Sequence, residues 1–152
     1  MVAREEMAEV SRVFMLDYLH VTTGTSTVPT ATVRLRKGAE VIQDAACGDG
    51  PVDAALKTID RIAGVQGRLI DFSLQAVTVG QDAMGEVSLR VGFNAEVVSA
   101  KAASTDIVEA AAKAYLSCIN RHLSVHAADA AVVGAADVKR GGPGGGKSAN
   151  GS

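Results

Sequence analysis

A chain of 152 residues with 47% apolar side chains is long enough to bury one core and too apolar to stay unfolded throughout. Aromatic residues make up only 3% and Trp is absent, so that core falls to Ala, Val, Leu and Ile. A net charge of −2 and so few stacking platforms argue against a nucleic-acid binder, which needs a basic face to displace counterions.

No stretch approaches the ~20 apolar residues that cross a bilayer. The N-terminus, MVAREEMAEVSR, is charged and lacks an apolar signal core. It reads as a flexible lead-in over residues 1–12. Cys47 and Cys118 lie far apart in no C-x-x-C, so a reducing, cytoplasmic setting is expected.

From residue 13, VFMLDYLHVTT is rich in β-branched and aromatic residues and reads as a strand. GTSTVP breaks it. In TATVRLRKG, Ala31, Val33 and Leu35 alternate with Thr32, Arg34 and Arg36, the period-2 pattern of a half-buried strand. Gly38 turns the chain into a third strand, AEVIQDAAC. A helix follows in GDGPVDAALKTIDRIAG, with Asp49 or Gly50 as cap, Pro51 in the first turn and Gly64 at the end. The order then restarts: strand RLIDFSLQAVTVG, turn QDAMG, strands EVSLRVGF and AEVVSAKA, and helix STDIVEAAAKAYLSCINRHL. Ser104 or Thr105 is the expected cap of that helix, and Glu109 in its first turns suits the dipole. Residues 124–138 extend the helix in this reading, and the Gly-rich tail, 139–152, is disordered.

The two halves repeat one another. Val33, Leu35, Arg36 and Gly38 fall on Val87, Leu89, Arg90 and Gly92; VDAA (52–55) falls on VEAA (108–111) after a two-residue insertion. The offset is about 55 residues, and two copies are too few for a solenoid. The expected fold is therefore α+β: two βββα units, 13–64 and 68–123, in pseudo-twofold arrangement, each three-stranded sheet covered by a helix. A lone copy buries too little to be stable, so the copies must share a core. Their seam is a natural place for a small ligand.

Candidate sites differ in weight. Gly141–Ser148 matches G-x-x-x-x-G-K-S, yet only ANGS follows, so no helix can begin where a phosphate loop requires one. His122 and His126 stand at i, i+4, a spacing that suits zinc, but no third ligand accompanies them; two solvated helix-end histidines are the expectation. In GDGPVDA (48–54), the helix N-terminus would attract a carboxylate while Asp49 could take an ammonium group, a pairing suited to an amino acid; a plain capping loop is the other reading. No catalytic pair, nucleophile or metal cluster stands out, so the residues describe a non-catalytic module without a cofactor.

GDGPVDAA, AVTVGQDAMGEV and STDIVEAAAKAYLSCIN, together with TTGTSTVPTATVRL, resemble the C-terminal regulatory domain of alpha-isopropylmalate synthase, over about residues 12–123. A related domain occurs in citramalate synthases, where the effector is isoleucine. The resemblance implies two βββα units, a homodimer, and L-leucine as feedback inhibitor, with the catalytic barrel absent from this chain. It places the effector between the first loop-helix and the first strand of the second unit: Asp49, Gly50, Val52, Asp53, then Leu69, Phe72 and Ala76, with Ala83 and Gly85 from the turn and Ile107 closing the pocket. One departure stands out. Ala100 and Ala102 of SAKAAS replace family glycines, which would penalise a positive φ or a close ligand approach. A dimerisation module with a vestigial pocket and an isoleucine sensor are the alternatives.

Overall fold

The computed structural model describes residues 13–125. Its strands are β1 (Met15–Gly24), β2 (Thr27–Lys37), β3 (Glu40–Cys47), β4 (Arg68–Val79), β5 (Asp82–Phe93) and β6 (Glu96–Ser104). Helix α1 (Pro51–Ala63) follows β3, and residues 107–125 form α2 after β6. They build two antiparallel sheets, β1-β2-β3 and β4-β5-β6. The expected pair of βββα units is therefore the fold. The lead-in, the helix extension beyond residue 125, His126 and the Gly-rich tail lie outside the described residues.

Period-2 alternation places Ala31, Val33 and Leu35 of β2, and Val87, Leu89 and Val91 of β5, fully or almost fully out of solvent. These are the two central strands, so each sheet turns its middle toward the helices. One core takes in both: Val33, Leu35, Leu56 and Ile59 pack in the same cluster as Val87, Leu89, Ala111, Tyr115 and Ile119. A second, smaller cluster joins Ala31, Ala54 and Ala55 to Val108 of α2. The small side chains of α1 let it sit close against β2; Thr58, fully buried there, hydrogen-bonds the Ala54 carbonyl at 2.7 Å.

Helix ends follow capping chemistry with one departure. Gly50 is the N-cap of α1, Pro51 takes the first turn, and Gly64 closes the helix at φ 72. The cap of α2 is Asp106, not Ser104 or Thr105. Its Oδ1 accepts from the N–H groups of Val108 (2.9 Å) and Glu109 (3.4 Å). Ser104 works one step earlier: its hydroxyl accepts from the Asp106 N–H at 3.1 Å and donates to Glu109 Oε1 at 2.7 Å.

Two stretches expected as breaks belong to strands. Pro29 lies inside β2, where its missing N–H does no harm because it falls at an irregularity of the β1–β2 ladder, between Thr22 and Gly24. Its carbonyl still accepts from the Gly48 N–H at 3.0 Å. Likewise Asp82–Gly85 are the first residues of β5, paired to Val79–Ala76. The repeat alignment also shifts. Lys37 pairs with Glu40 and Phe93 with Glu96, so the two-residue turns are Gly38-Ala39 and Asn94-Ala95. The counterpart of Gly38 (φ 63) is thus Asn94 (φ 57), the non-glycine residue that tolerates that region best, while Gly92 lies in the strand.

Helix α2 is tied to the segment just before β1 by Asn120. Its Oδ1 accepts from the Phe14 N–H at 2.8 Å and its Nδ2 donates to the Phe14 carbonyl at 2.9 Å, both buried. Asn120→Ala should leave two buried backbone groups unpaired and cost roughly 2–4 kcal/mol in urea unfolding; a loss below half a kcal/mol would show that water replaces the amide.

Candidate functional site: a groove between α1 and β4

The pseudo-twofold is broken at the edge strands. In antiparallel pairs, residues directly opposite share a face. On β1, Leu16, Leu19 and Val21 oppose Leu35, Val33 and Ala31, and all three are half-buried, Leu19 and Val21 with Val108 of α2. On β4, Leu69, Phe72 and Leu74 oppose Val91, Leu89 and Val87, so they too face the core side. Yet they remain 41%, 37% and 53% exposed. Thus the edge of the second sheet is the less covered of the two, although a smaller groove of about 450 Å³ between β1 and α2, lined by Leu16, Leu19, Glu109 and Lys113, mirrors it.

Each edge strand also carries a bulge, and at the same height. In β1 it lies between Leu16 and Tyr18, opposite Leu35 and Arg34; in β4 it lies between Leu69 and Asp71, opposite Val91 and Arg90, their counterparts when the turns are matched. A bulge adds one unpaired residue and increases local twist, so the two edge strands share this irregularity, and the difference in exposure comes from what the helices place over them.

The uncovered edge forms a groove of about 560 Å³ lined by Val52, Asp53, Leu56, Lys57 and Asp60 of α1, Leu69 and Phe72 of β4, and Gly67 and Tyr115. Four of the expected residues meet there: Val52, Asp53, Leu69 and Phe72. Three others gather beside Leu74 further along β4. Ala76 pairs with Gly85, and a Cβ on Gly85 would strike Ile107 Cδ1, so glycine makes room for the isoleucine. Ala83 pairs with Thr78 near the hairpin end, away from the groove wall. Asp49 and Gly50 shape the entrance without lining it: the Asp49 N–H donates to Asp53 Oδ2 at 2.8 Å.

Charge in the groove runs along one stripe of α1. Asp53 and Lys57 form an i, i+4 ion pair at 3.1 Å. The Asp49 N–H and the Lys57 ammonium hold the Asp53 carboxyl below its ordinary range. Asp60, one turn on, is different. Burial pushes its carboxyl up to about 6, against the opposing effect of the Tyr115 hydroxyl, which donates to its Oδ1 at 2.6 Å. Burial and that carboxylate push the Tyr115 phenol up in turn. Leu56, Lys57, Asp60, Gly67 and Tyr115 were missed from sequence. The 52–56–60 and 53–57 spacings on α1 could have found the first three; nothing in one sequence pairs Asp60 with a residue 55 positions away.

A larger groove, about 1070 Å³, lies on the other side of Lys57 and Asp60, reaching Cys47, Asn94 and His122. Its basic residues have acidic partners, as Lys57 has in the first groove: Arg61 with Asp44 at 2.9 Å, Lys57 with Asp53, and His122 with Glu96 at 2.7 Å. His122 is not the solvated helix-end residue expected; it also stacks on Phe93 at 4.3 Å. Among the described residues, no cluster of His, Cys, Asp and Glu could hold a metal, and no helix is long and apolar enough to cross a membrane. Cys47 is exposed and Cys118 buried, both as free thiols, with burial pushing the latter up to about 11.

Fold and groove together define a duplicated βββα module with an open apolar edge and a charged helix stripe beside it. Residues 1–123 match the family described as the LeuA allosteric (dimerisation) domain. The chain belongs to that family. It is similar to proteins named 2-isopropylmalate synthase: 45% identical over 119 residues to one from Methylacidiphilum infernorum, 45% over 121 to one from Pelotomaculum thermopropionicum, and 49% over 121 to one from Carboxydothermus hydrogenoformans. These matches cover 78–79% of this chain but only 24% of each relative, so the chain spans about a quarter of the proteins it resembles.

The raised Asp60 midpoint makes a stability prediction. Between the ordinary 3.8 and about 6, the folded chain keeps a proton that the unfolded chain has released. This group's contribution is therefore greatest at acid pH and falls as pH rises through that window. Urea midpoints of the wild type should fall relative to those of Asp60→Asn between about pH 4 and 6.5, then run parallel; parallel behaviour throughout would refute the shift.

Proposed function

We propose that this chain is the allosteric domain of a 2-isopropylmalate synthase, that the groove between α1 and β4 takes L-leucine as feedback inhibitor, and that two copies associate. The observation that carries this reading is the bare core-side edge of β4 next to a charged helix stripe. Exposed Leu69 and Phe72, with Val52 and Leu56 opposite, suit a branched aliphatic side chain. Asp53, Lys57 and Asp60 supply both signs of charge for a zwitterion. The family's description as an allosteric and dimerisation domain supports the same reading. Catalysis would belong to a barrel on the same polypeptide or a partner, in the cytoplasm; this chain binds and does not turn over.

The Ala100 and Ala102 departures do not argue against it through backbone strain. Both sit in β6, paired with Leu89 and Val87, and neither has a positive φ. The penalty expected for replacing glycine in the left-handed region therefore does not arise; what remains is the bulk of two methyl groups. That bulk is the reason to weigh a dimerisation module with a vestigial pocket as the second reading.

Titration calorimetry with leucine, isoleucine and valine separates the possibilities. Leucine should bind most tightly and, at about a hundred times Kd, stabilise the fold by about 2.7 kcal/mol, visible as a rise in Tm. Phe72→Ala should weaken binding by about tenfold or more, the cost of a lost apolar wall. Preference for isoleucine would reassign the effector. Flat traces with all three, in a chain that still sediments as a dimer, would leave only the dimerisation role.

A further inference from the structure

The hydrogen bond from Tyr115 to Asp60 joins α1 to α2, and so joins one repeat to the other. Both residues also line the groove between α1 and β4. We propose that this bond is a latch between the repeats that sets the width of that groove.

Three observations support it. First, α1 meets the second repeat mostly through aliphatic packing by Leu56 and Ile59, which is non-directional and tolerates sliding. The Tyr115–Asp60 bond is directional and short, so it fixes one spacing. Second, the connection to β4 passes directly beneath it: a Cβ on Gly67 would collide with the Tyr115 hydroxyl, so the closed latch fits only glycine there. Third, Asp60 has no basic partner in an ion pair among the described residues. Of the charged groups around it, Lys57 and Arg61 on its own helix bind Asp53 and Asp44, and His122 on α2 binds Glu96. The Tyr115 phenol, together with the Gly67 N–H, then holds this carboxylate in place, and only the phenol ties it to the second helix.

A phenol donates more strongly to an ionised carboxylate than to a neutral acid. In the latched structure, however, burial outweighs that gain and holds Asp60 at about 6, so the closed latch is favoured below that pH, and opening, which returns the carboxylate to water, is favoured above it. The inference rests on reading the groove as the effector site and adds a proton linkage to it. If the latched groove is the binding form, effector and protonated Asp60 favour one another, and the coupling is reciprocal.

Leucine calorimetry on the full chain at about pH 7.5 and 5.5 tests this, beside the carboxyl titration of Asp60 by NMR with and without leucine. Wild-type affinity should strengthen about fivefold on acidification, while Asp60→Asn, which keeps an acceptor oxygen and cannot ionise, binds tightly and Tyr115→Phe weakly at both pH values. Saturating leucine should raise the Asp60 midpoint. Equal pH profiles in wild type and Asp60→Asn, with a midpoint indifferent to leucine, would overturn the latch and leave the leucine site standing. If leucine does not bind at all, the effector reading fails and amide exchange decides the latch alone. Tyr115→Phe should loosen residues 51–63 at about pH 5.5 to at least the level the wild type reaches near pH 7.5. Unchanged protection there would reject it.

Discussion

Two small sheets, each with one apolar face, have to be buried by two helices, and that shared core is the constraint on which the molecule depends. Val33 and Leu35 from one sheet and Val87, Leu89 and Val91 from the other reach zero or near-zero exposure only because α1 and α2 lie between them in a common cluster. Neither βββα unit has a core of its own large enough to stand without the other. The alanines of both helices, Ala54, Ala55, Ala110, Ala111 and Ala114, are what this close packing demands: small, buried and without rotamer entropy to lose. Polar contacts then fix the arrangement at particular points. Asn120 holds the Phe14 backbone, and Tyr115 holds Asp60.

The candidate site is where that shared core is unevenly distributed. A perfect duplication would bury both edge strands alike or expose both alike. Here Val108 packs on the core side of β1 with Leu19 and Val21, whereas Val52, its counterpart on α1, leaves Leu69 and Phe72 exposed beside it. The result is an apolar edge that folding left uncovered, in contact with a helix face carrying Asp53, Lys57 and Asp60. Leaving such a surface exposed is unfavourable for an isolated fold, and it is the arrangement expected of a ligand or subunit contact. The groove and the asymmetry of the repeat are thus one feature.

Much of the architecture was legible in one sequence because it is encoded locally. Alternation marked β2, Gly and Pro marked both ends of α1, and the repeated VDAA and VEAA announced the second unit. Errors came where local signals compete with tertiary context. Pro29 reads as a breaker, yet a ladder irregularity accommodates it. QDAMG reads as a loop, yet pairing with β4 draws Asp82–Gly85 into a strand. Gly92 looked like the partner of Gly38 because both are glycine, whereas turn position makes Asn94 the true counterpart. Ser104 and Asp106 both carry capping chemistry, and only the geometry of the first turn chooses Asp106.

The sequence by itself determined the elements, their order and the duplication, since these depend on periodicity and turn chemistry within a few residues. It also supplied, through resemblance, most of the groove's apolar wall. Tertiary structure alone decided which edge strand stays the more exposed, because that depends on how each helix lies over its neighbouring strand. It alone placed Asp60 against Tyr115, since a hydrogen bond between residues 55 positions apart leaves no local trace in the chain.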